Sequence, residues 1–515
     1  MARPGAREVL DSTLDPGSFV SWDEPPVQPD LGPGYAAQLA AAQERSGVDE
    51  AVLTGEGLLD GCRVAVVAGE FAFLAGSIGA AASERLTRAF ERATREGLPM
   101  LASPSSGGTR MQEGTPAFVQ MVTIGQAVAA HRRAGLPYLV YLRHPTTGGV
   151  LASWGSLGHL TIAEPGALIG FLGPRVREVL LGEPFPEGVQ VAENLARRGV
   201  IDGVVPLAEI RSVTIDALRV LTGPQEPVGD HGPEPATADL ERRPAWASVL
   251  ATREPGRPGL RELLRYAAET FIPLRGTGSG ESDLTVIMGL ARFPGFSCVL
   301  VGQDRRAQRE AYLGPGALRV AQRGFALAEE LDLPVLTVID TPGAELSTEA
   351  EHGGMGGEIA RCLAALASVE VPVVSVILGE GTGGGALALM PADRTVCAEH
   401  GWVAPLPPEG ASAIVHRTGD RAPEMAQLHR IRSCDLRAAG VVDQIVPEHP
   451  DAAEEPAAFC RRVVAAAGAH LGDLLRLDRD ERLRERRARY RSMGHGPTAD
   501  AQDQATDTQE PTIDG

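Results

Sequence analysis

The sequence predicts an α/β protein made of two tandem domains related by duplication. Three observations lead there. A set of strings is written twice in the same order; short Val/Ile/Leu runs alternate with Ala-rich segments of helical period; and glycine turns join the two kinds of segment at matching places.

The repeat comes first. Gly97-Leu-Pro-Met-Leu matches Asp332-Leu-Pro-Val-Leu, and Gly135-Leu-Pro-Tyr-Leu-Val matches Glu370-Val-Pro-Val-Val-Ser, both at an offset of 235. Thr147-Gly-Gly-Val-Leu-Ala then matches Gly383-Gly-Gly-Ala-Leu-Ala at 236, and Gly199-Val-Ile-Asp-Gly-Val-Val-Pro matches Gly440-Val-Val-Asp-Gln-Ile-Val-Pro at 241. A slowly growing offset is what loop insertions produce. The first domain is expected over 1–225 and the second over 257–490. Between them 226–256, rich in Pro, Gly and acidic residues, reads as a linker, and the polar stretch 491–515 reads as a disordered tail.

Within each copy, Pro opens a short β-prone run and a helix follows. After Gly108, Thr115 and Pro116 suit an N-cap and first helical residue; Phe118, Met121, Val122, Gly125 and Val128 mark one face until Gly135 stops the helix.

Composition narrows the function. With a net charge of −19 and a pI near 5.1, docking on nucleic acid or anionic lipid is disfavoured, and neither partner is expected. The first residues lack the apolar core of a signal peptide and no apolar run reaches membrane-spanning length, so a soluble cytoplasmic protein is expected. The six cysteines form no CxxC pair and read as buried, reduced thiols; no HExxH or GxSxG occurs. All 48 basic residues are arginine. A P-loop lysine, a Schiff base and covalently attached biotin are therefore all excluded.

Chemistry falls to the glycine turns. The first copy carries Ser105-Ser-Gly107-Gly108 and Thr146-Thr-Gly148-Gly149; the second carries Thr341-Pro-Gly343-Ala344 and Gly381 to Gly385. Glycine after a strand lets the backbone approach a ligand, and a helix start presents unpaired N–H groups. Two such turns side by side make an oxyanion hole, so two holes per chain are expected. His144, His159 and His352 lie near the turns and read as structural, and Glu380 adjoins one turn without thereby being a base.

At these residues the sequence becomes recognisable. Ser106-Gly-Gly-Thr-Arg-Met-Gln-Glu-Gly114, Pro145-Thr-Thr-Gly-Gly-Val-Leu-Ala-Ser153 and Ile169-Gly-Phe-Leu-Gly-Pro-Arg-Val176 resemble the β subunit of bacterial acetyl-CoA carboxylase carboxyltransferase. Ile339-Asp-Thr-Pro-Gly-Ala344, Gly379-Glu-Gly-Thr-Gly-Gly-Gly-Ala-Leu-Ala388 and Leu436 to Ile445 resemble its α subunit. The resemblance implies two crotonase-like domains, the first for acyl-CoA and the second for biotin. It implies transfer of CO2 from carboxybiotin on a separate carrier protein to acetyl-CoA, giving malonyl-CoA for fatty acid or polyketide synthesis. Gly148 and Gly149, helped by Gly107 and Gly108, would receive the thioester oxygen; Gly384 and Gly385, with Gly343 and Ala344, the ureido oxygen. A biotin carboxyl carrier protein, a biotin carboxylase and a second copy of the chain are the implied partners. The zinc ribbon of the β subunit is missing, so no metal is expected, and Trp154 and His159 stand beside the acyl-CoA turn where the family has Phe and Asp. Arg110 is the candidate for holding acyl-CoA phosphates or, equally, an ion pair that orients the loop. A decarboxylase on the same scaffold and a non-catalytic subunit of a carboxylase complex are the alternatives.

Overall fold

Asp60 and Gly61 take positive φ, 53° and 77°, and close a two-residue hairpin between strands Val52–Leu59 and Cys62–Gly69. Asp-Gly is the pair that such a turn favours, because its backbone twist matches that of the flanking strands. In the second copy Pro294 and Gly295 also close a two-residue hairpin between Val286–Phe293 and Phe296–Gln303, but there only Gly295 has positive φ, 85°, so the turn is of another type. The computed structural model describes residues 3–226 and 231–493.

The chain divides into two compact units. One is formed by Met1–Glu226, Ala267–Leu336 and Glu345–Val371, the other by Pro227–Tyr266, Thr337–Ala344 and Pro372–Gly515. The first sheet runs Val20–Ser21, Val52–Leu59, Cys62–Gly69, Met100–Ser103, Tyr138–Leu142, Leu160–Ala163, Gly203–Val204, parallel from the third strand onward. The second runs Thr270–Leu274, Val286–Phe293, Phe296–Gln303, Val335–Thr341, Val373–Thr382, Arg394–Ala398, Gln444–Val446, with Trp402–Ala404 pairing on Val373–Thr382. The two orders correspond strand for strand, as duplication requires.

The parallel strands Met100–Ser103, Tyr138–Leu142 and Leu160–Ala163 are buried throughout, which explains their mostly apolar character. Leu86, Phe90 and Ala93 of helix Ala80–Glu96 pack into the same core as Tyr138, Val140 and Trp154.

Several expectations are corrected. Helix Gly114–Arg133 forms where predicted, but it buries Ala117, Ile124, Ala127, Val128 and His131, while Phe118 and Val122 are exposed. Of the expected face, Val128 is buried and Met121 packs against the core, but Phe118 and Val122 point outward, and Ala117, Ile124 and Ala127 take the buried positions. The stretch read as a linker carries helices Thr237–Arg242 and Ala245–Arg253, and Ala245 and Val249 pack with Trp402, Ala404 and Ile431. The alanine and valine spacing, outweighed in the reading by Pro and Gly, is what folds it. Five cysteines are buried, but Cys62 at the hairpin is exposed. Helix Arg479–Ser492 reaches into the expected tail, the rest of which lies outside the described residues. Among the described residues no helix is long and apolar enough to cross a membrane.

Candidate active site

In the first unit, strand Met100–Ser103 leads into the turn at Ser105–Gly108, and strand Tyr138–Leu142 leads into the turn at Thr146–Gly149. Backbone bonds stitch the turns together: Ser106 N–H donates to Pro145 O at 2.7 Å and Thr147 N–H to Ser106 O at 3.0 Å. A short ladder between Thr146–Thr147 and Ile169–Gly170 fixes the second turn from its other side. Gly108 and Gly148 have φ of +111° and +63°, a region that side chains strain. They also nearly touch: a β-carbon on Gly108 would lie 3.4 Å from Gly148 Cα and 3.6 Å from the Gly149 nitrogen.

An account of the N–H groups refines the expected donors. Gly107 donates to Ala75 O at 2.8 Å, Gly108 to Ser106 Oγ at 3.0 Å, and Gly148 to the carbonyls of Gly170 and Phe171 at 3.2 and 3.1 Å. These three glycines shape the turns and have their protons engaged. Among the described residues no hydrogen bond is made by the N–H of Thr109 or Gly149. These two are the groups available to a ligand oxygen.

The second unit repeats the arrangement. Gly343, φ +134°, donates to Thr341 Oγ1 at 3.1 Å, as Gly108 does to Ser106. Gly383, φ +63°, ends strand Val373–Thr382 and begins helix Gly383–Leu387. By conformation, then, Gly148 corresponds to Gly383 and Gly149 to Gly384, one residue earlier than the matching strings suggested. The N–H groups of Ala344 and Gly384 make no hydrogen bond among the described residues. Gly385, expected as a donor, is buried one position further into the helix.

Arg110 is not placed to meet phosphate. It is fully buried, and its two terminal nitrogens are taken by Glu50, by Glu113 at 3.2 Å, by Tyr35 Oη at 3.3 Å and by Ser77 O at 2.8 Å. Of its two readings, the loop-orienting ion pair is the one the geometry supports. Burial and the Glu113 contact push the Tyr35 phenol up to about 12, so the cluster holds a neutral tyrosine at physiological pH. Glu113 Oε2 also accepts from Ala80 N–H at 2.6 Å, tying the turn to the start of helix Ala80–Glu96.

Sequence reasoning missed two further braces. Arg143, 1% exposed, donates to Ser103 Oγ at 2.9 Å, Pro4 O at 2.9 Å and Gly69 O, and burial lowers it to about 10, still protonated at neutral pH. Arg253 donates to Glu380 Oε1 at 2.8 Å and Glu409 Oε1 at 2.5 Å, while Asp340 Oδ1 accepts from Glu380 N–H at 3.3 Å. Glu380 is thus an ion-paired brace of its turn. Arg143 is held by a hydroxyl and carbonyls and Arg253 by carboxylates 127 and 156 residues away, so no local pattern in the sequence marks either.

Two of the three histidines accept backbone hydrogen bonds in the fold, and the third is exposed. His144 Nδ1 accepts from Leu168 N–H and His159 Nδ1 from Tyr138 N–H, each at 3.0 Å, and His352 closes helix Thr348–His352. Trp154 and His159 are 0% and 1% exposed, so they belong to the core and not to an acyl pocket.

What remains at each turn pair, among the described residues, is a set of backbone N–H donors without a hydrogen-bond partner. Such donors stabilise charge developing on a carbonyl oxygen, with one donor worth on the order of 10² to 10³ in rate. Twin sheets of the same strand order, each with such donors at matching turns, define a duplicated α/β scaffold in fold alone, and the family follows from its relatives. The chain matches the carboxyl transferase domain family over residues 2–473. It is 56% identical over 496 residues, 96% of this chain and 99% of the relative, to the "Probable biotin-dependent acyl-coenzyme A carboxylase beta3 subunit" of Mycobacterium tuberculosis. It is 39% identical over 516 residues, 96% and 91% of the two chains, to the "Acetyl-coenzyme A carboxylase carboxyl transferase subunits beta/alpha" of Salinispora tropica. In fold it is similar to the transcarboxylase 12S hexamer core, with a TM-score of 0.72 and 21% identity over 92% of this chain and 90% of that one. The protein belongs to the biotin-dependent acyl-CoA carboxyltransferases, whose biotin is carried on a separate protein.

Proposed function

We propose that this chain moves a carboxyl group from carboxybiotin on its carrier to acetyl-CoA, giving malonyl-CoA. The observation that carries the reading is the duplicated pair of open N–H groups, Thr109 with Gly149 and Ala344 with Gly384. The first pair receives the thioester oxygen, which acidifies the α-carbon by taking up enolate charge; the second receives the ureido oxygen of biotin. The carboxyl group leaves a biotin nitrogen and joins the α-carbon, and the α-proton passes the other way. Residues 1–225 act as the acyl-CoA half and 257–490 as the biotin half. A biotin carboxyl carrier protein and a biotin carboxylase complete the system.

Acetyl-CoA is favoured by relatives named for that substrate that span both halves. The Met121 thioether also supports it, since a β-carbon on Gly149 would lie only 3.4 Å from its sulfur, which narrows the space beside the donor. The working enzyme is a homo-oligomer in which the first half of one protomer serves the second half of its partner. The test is carboxylation of free biotin by malonyl-CoA, the reverse partial reaction, run beside methylmalonyl-CoA and longer-chain analogues. Highest kcat/KM with malonyl-CoA is expected. A preference for a branched or long-chain thioester would overturn the acetyl assignment, and no carboxylation with any of them would overturn the activity.

A further inference from the structure

His231, His470 and Asp473 come together in the second unit, far from both turns in sequence. His470 and Asp473 are three residues apart on helix Pro456–Arg476 and so share a face. The His231 and His470 ring centroids are 4.6 Å apart, and His231 Nε2 lies 2.9 Å from Asp473 Oδ2. One ligand atom from each of the three residues lies within 4.8 Å of the others. His470 is 7% exposed, and its Nε2 is buried without a hydrogen-bond partner. A buried ring nitrogen left unpaired carries a desolvation cost that a ligand would relieve.

We infer that His231, His470 and Asp473 form a binding site for a transition-metal dication such as Zn2+, which fastens the segment at His231 to helix Pro456–Arg476. Two imidazoles and a carboxylate are the donor set that Zn2+ accepts with a water in fourth place. In a tetrahedral site, bonds of about 2.0–2.2 Å put two ligands of one ion about 3.3–3.6 Å apart. Separations of up to 4.8 Å must therefore close by about an ångström. The means is at hand, because the His231 and Asp473 side chains are 46% and 47% exposed and turn without disturbing the core. The backbone of His231 is already held in place, its carbonyl accepting from Gln444 Nε2.

No CxxC or HExxH pattern marks this site in the sequence. Its ligands are a helical His-x-x-Asp and a histidine from the opposite end of the second unit. No step of the proposed reaction passes through it, so its role is to secure the fold.

The tag-free full chain, dialysed against a chelator, is titrated calorimetrically with Zn2+, and its metal content is read by mass spectrometry. One saturable site per chain is expected. Affinity should fall ten-fold or more in His231→Ala and in Asp473→Asn, about the loss that even outer-shell partners of a metal cause. Both side chains are half-exposed, so both variants fold, and the rise in Tm on adding Zn2+ should shrink with the affinity. Carboxyltransferase activity should be the same with and without the metal. Absence of a saturable site, or unchanged affinity in both variants, overturns the inference and leaves a purely hydrogen-bonded trio.

Discussion

Gly148 approaches Gly108 so closely that a β-carbon built on it would stand 3.2 Å from the Gly108 α-carbon. Neither residue offers a free proton, yet together they set the position of the open N–H groups that follow each of them, at Thr109 and Gly149. Shape and chemistry are therefore divided between adjacent residues.

Gly148→Ala should accordingly act at a distance of one residue. Its φ of +63° and the close contact force the turn to shift, moving the Gly149 donor. A fall in kcat/KM for acyl-CoA of on the order of 10²-fold is expected, with the circular dichroism spectrum retained. Gly383→Ala should do the same to carboxylation of free biotin. Wild-type rates in both variants would refute the placement of the donors.

Arg110→Ala should behave as a stability lesion. Removing one partner of a buried charge cluster costs about 3–5 kcal/mol, because Glu50 and Glu113 are left uncompensated. Thermal unfolding should show a large drop in Tm. The salt dependence of acyl-CoA KM should not change, whereas loss of a phosphate contact would change it.

A pH-dependent contribution is expected at Glu330. Burial works to raise its carboxyl, but the His159 ring, 3.4 Å away, and the hydrogen bonds from Arg132 outweigh burial and hold it at about 2, against an ordinary 4.5. His159 is itself pushed below 6.5 by burial, so at neutral pH the Arg132 fork, with both bonds at 2.7 Å, carries the effect. A depressed carboxylate stabilises the fold fully above 4.5 and loses that contribution as pH falls toward 2. The Tm difference between wild type and Glu330→Gln should be constant from neutral pH to about 5 and shrink below it.

The purified chain should give a blank streptavidin blot, since it has no lysine to biotinylate. Acetyl-CoA carboxylation should appear only when a biotinylated carrier and its carboxylase are added.

Complementation tests the oligomer. Gly148→Val and Gly384→Val chains, each inactive alone, should regain activity when mixed under conditions that exchange subunits, because a mixed dimer joins both intact halves at one interface. Demonstrated exchange without recovery would reject sites formed between chains.

Much of this was legible in the sequence, because duplication turns weak signals into strong ones. A single Gly-Gly pair is merely a turn, but Gly148 and Gly383 with the same φ, and Gly108 and Gly343 each bonded to a hydroxyl two residues back, are constraints repeated in two copies. The one-residue error in pairing Gly148 with Gly384 arose because three successive glycines look alike as letters and differ only in φ. Arg110 shows the opposite limit. An arginine beside a functional turn is equally suited to a ligand or to a brace, and only the position of Glu50, sixty residues earlier, separates the two. The helix face at Phe118 and Val122 was misread because hydrophobicity alone ranks Phe above Ala, whereas close packing against a sheet selects the smaller residue.

The arginines at both turns have one further consequence. Acyl thioesters slowly modify free amines, and enzymes that concentrate them expose their own lysines to that damage. Here the cations that brace the catalytic loops, Arg110, Arg143 and Arg253, are guanidinium groups, and the chain contains no ε-amine. Guanidinium stays protonated and is a poor nucleophile. The side-chain cations of the scaffold therefore escape acylation and keep their charge through repeated exposure to activated acids.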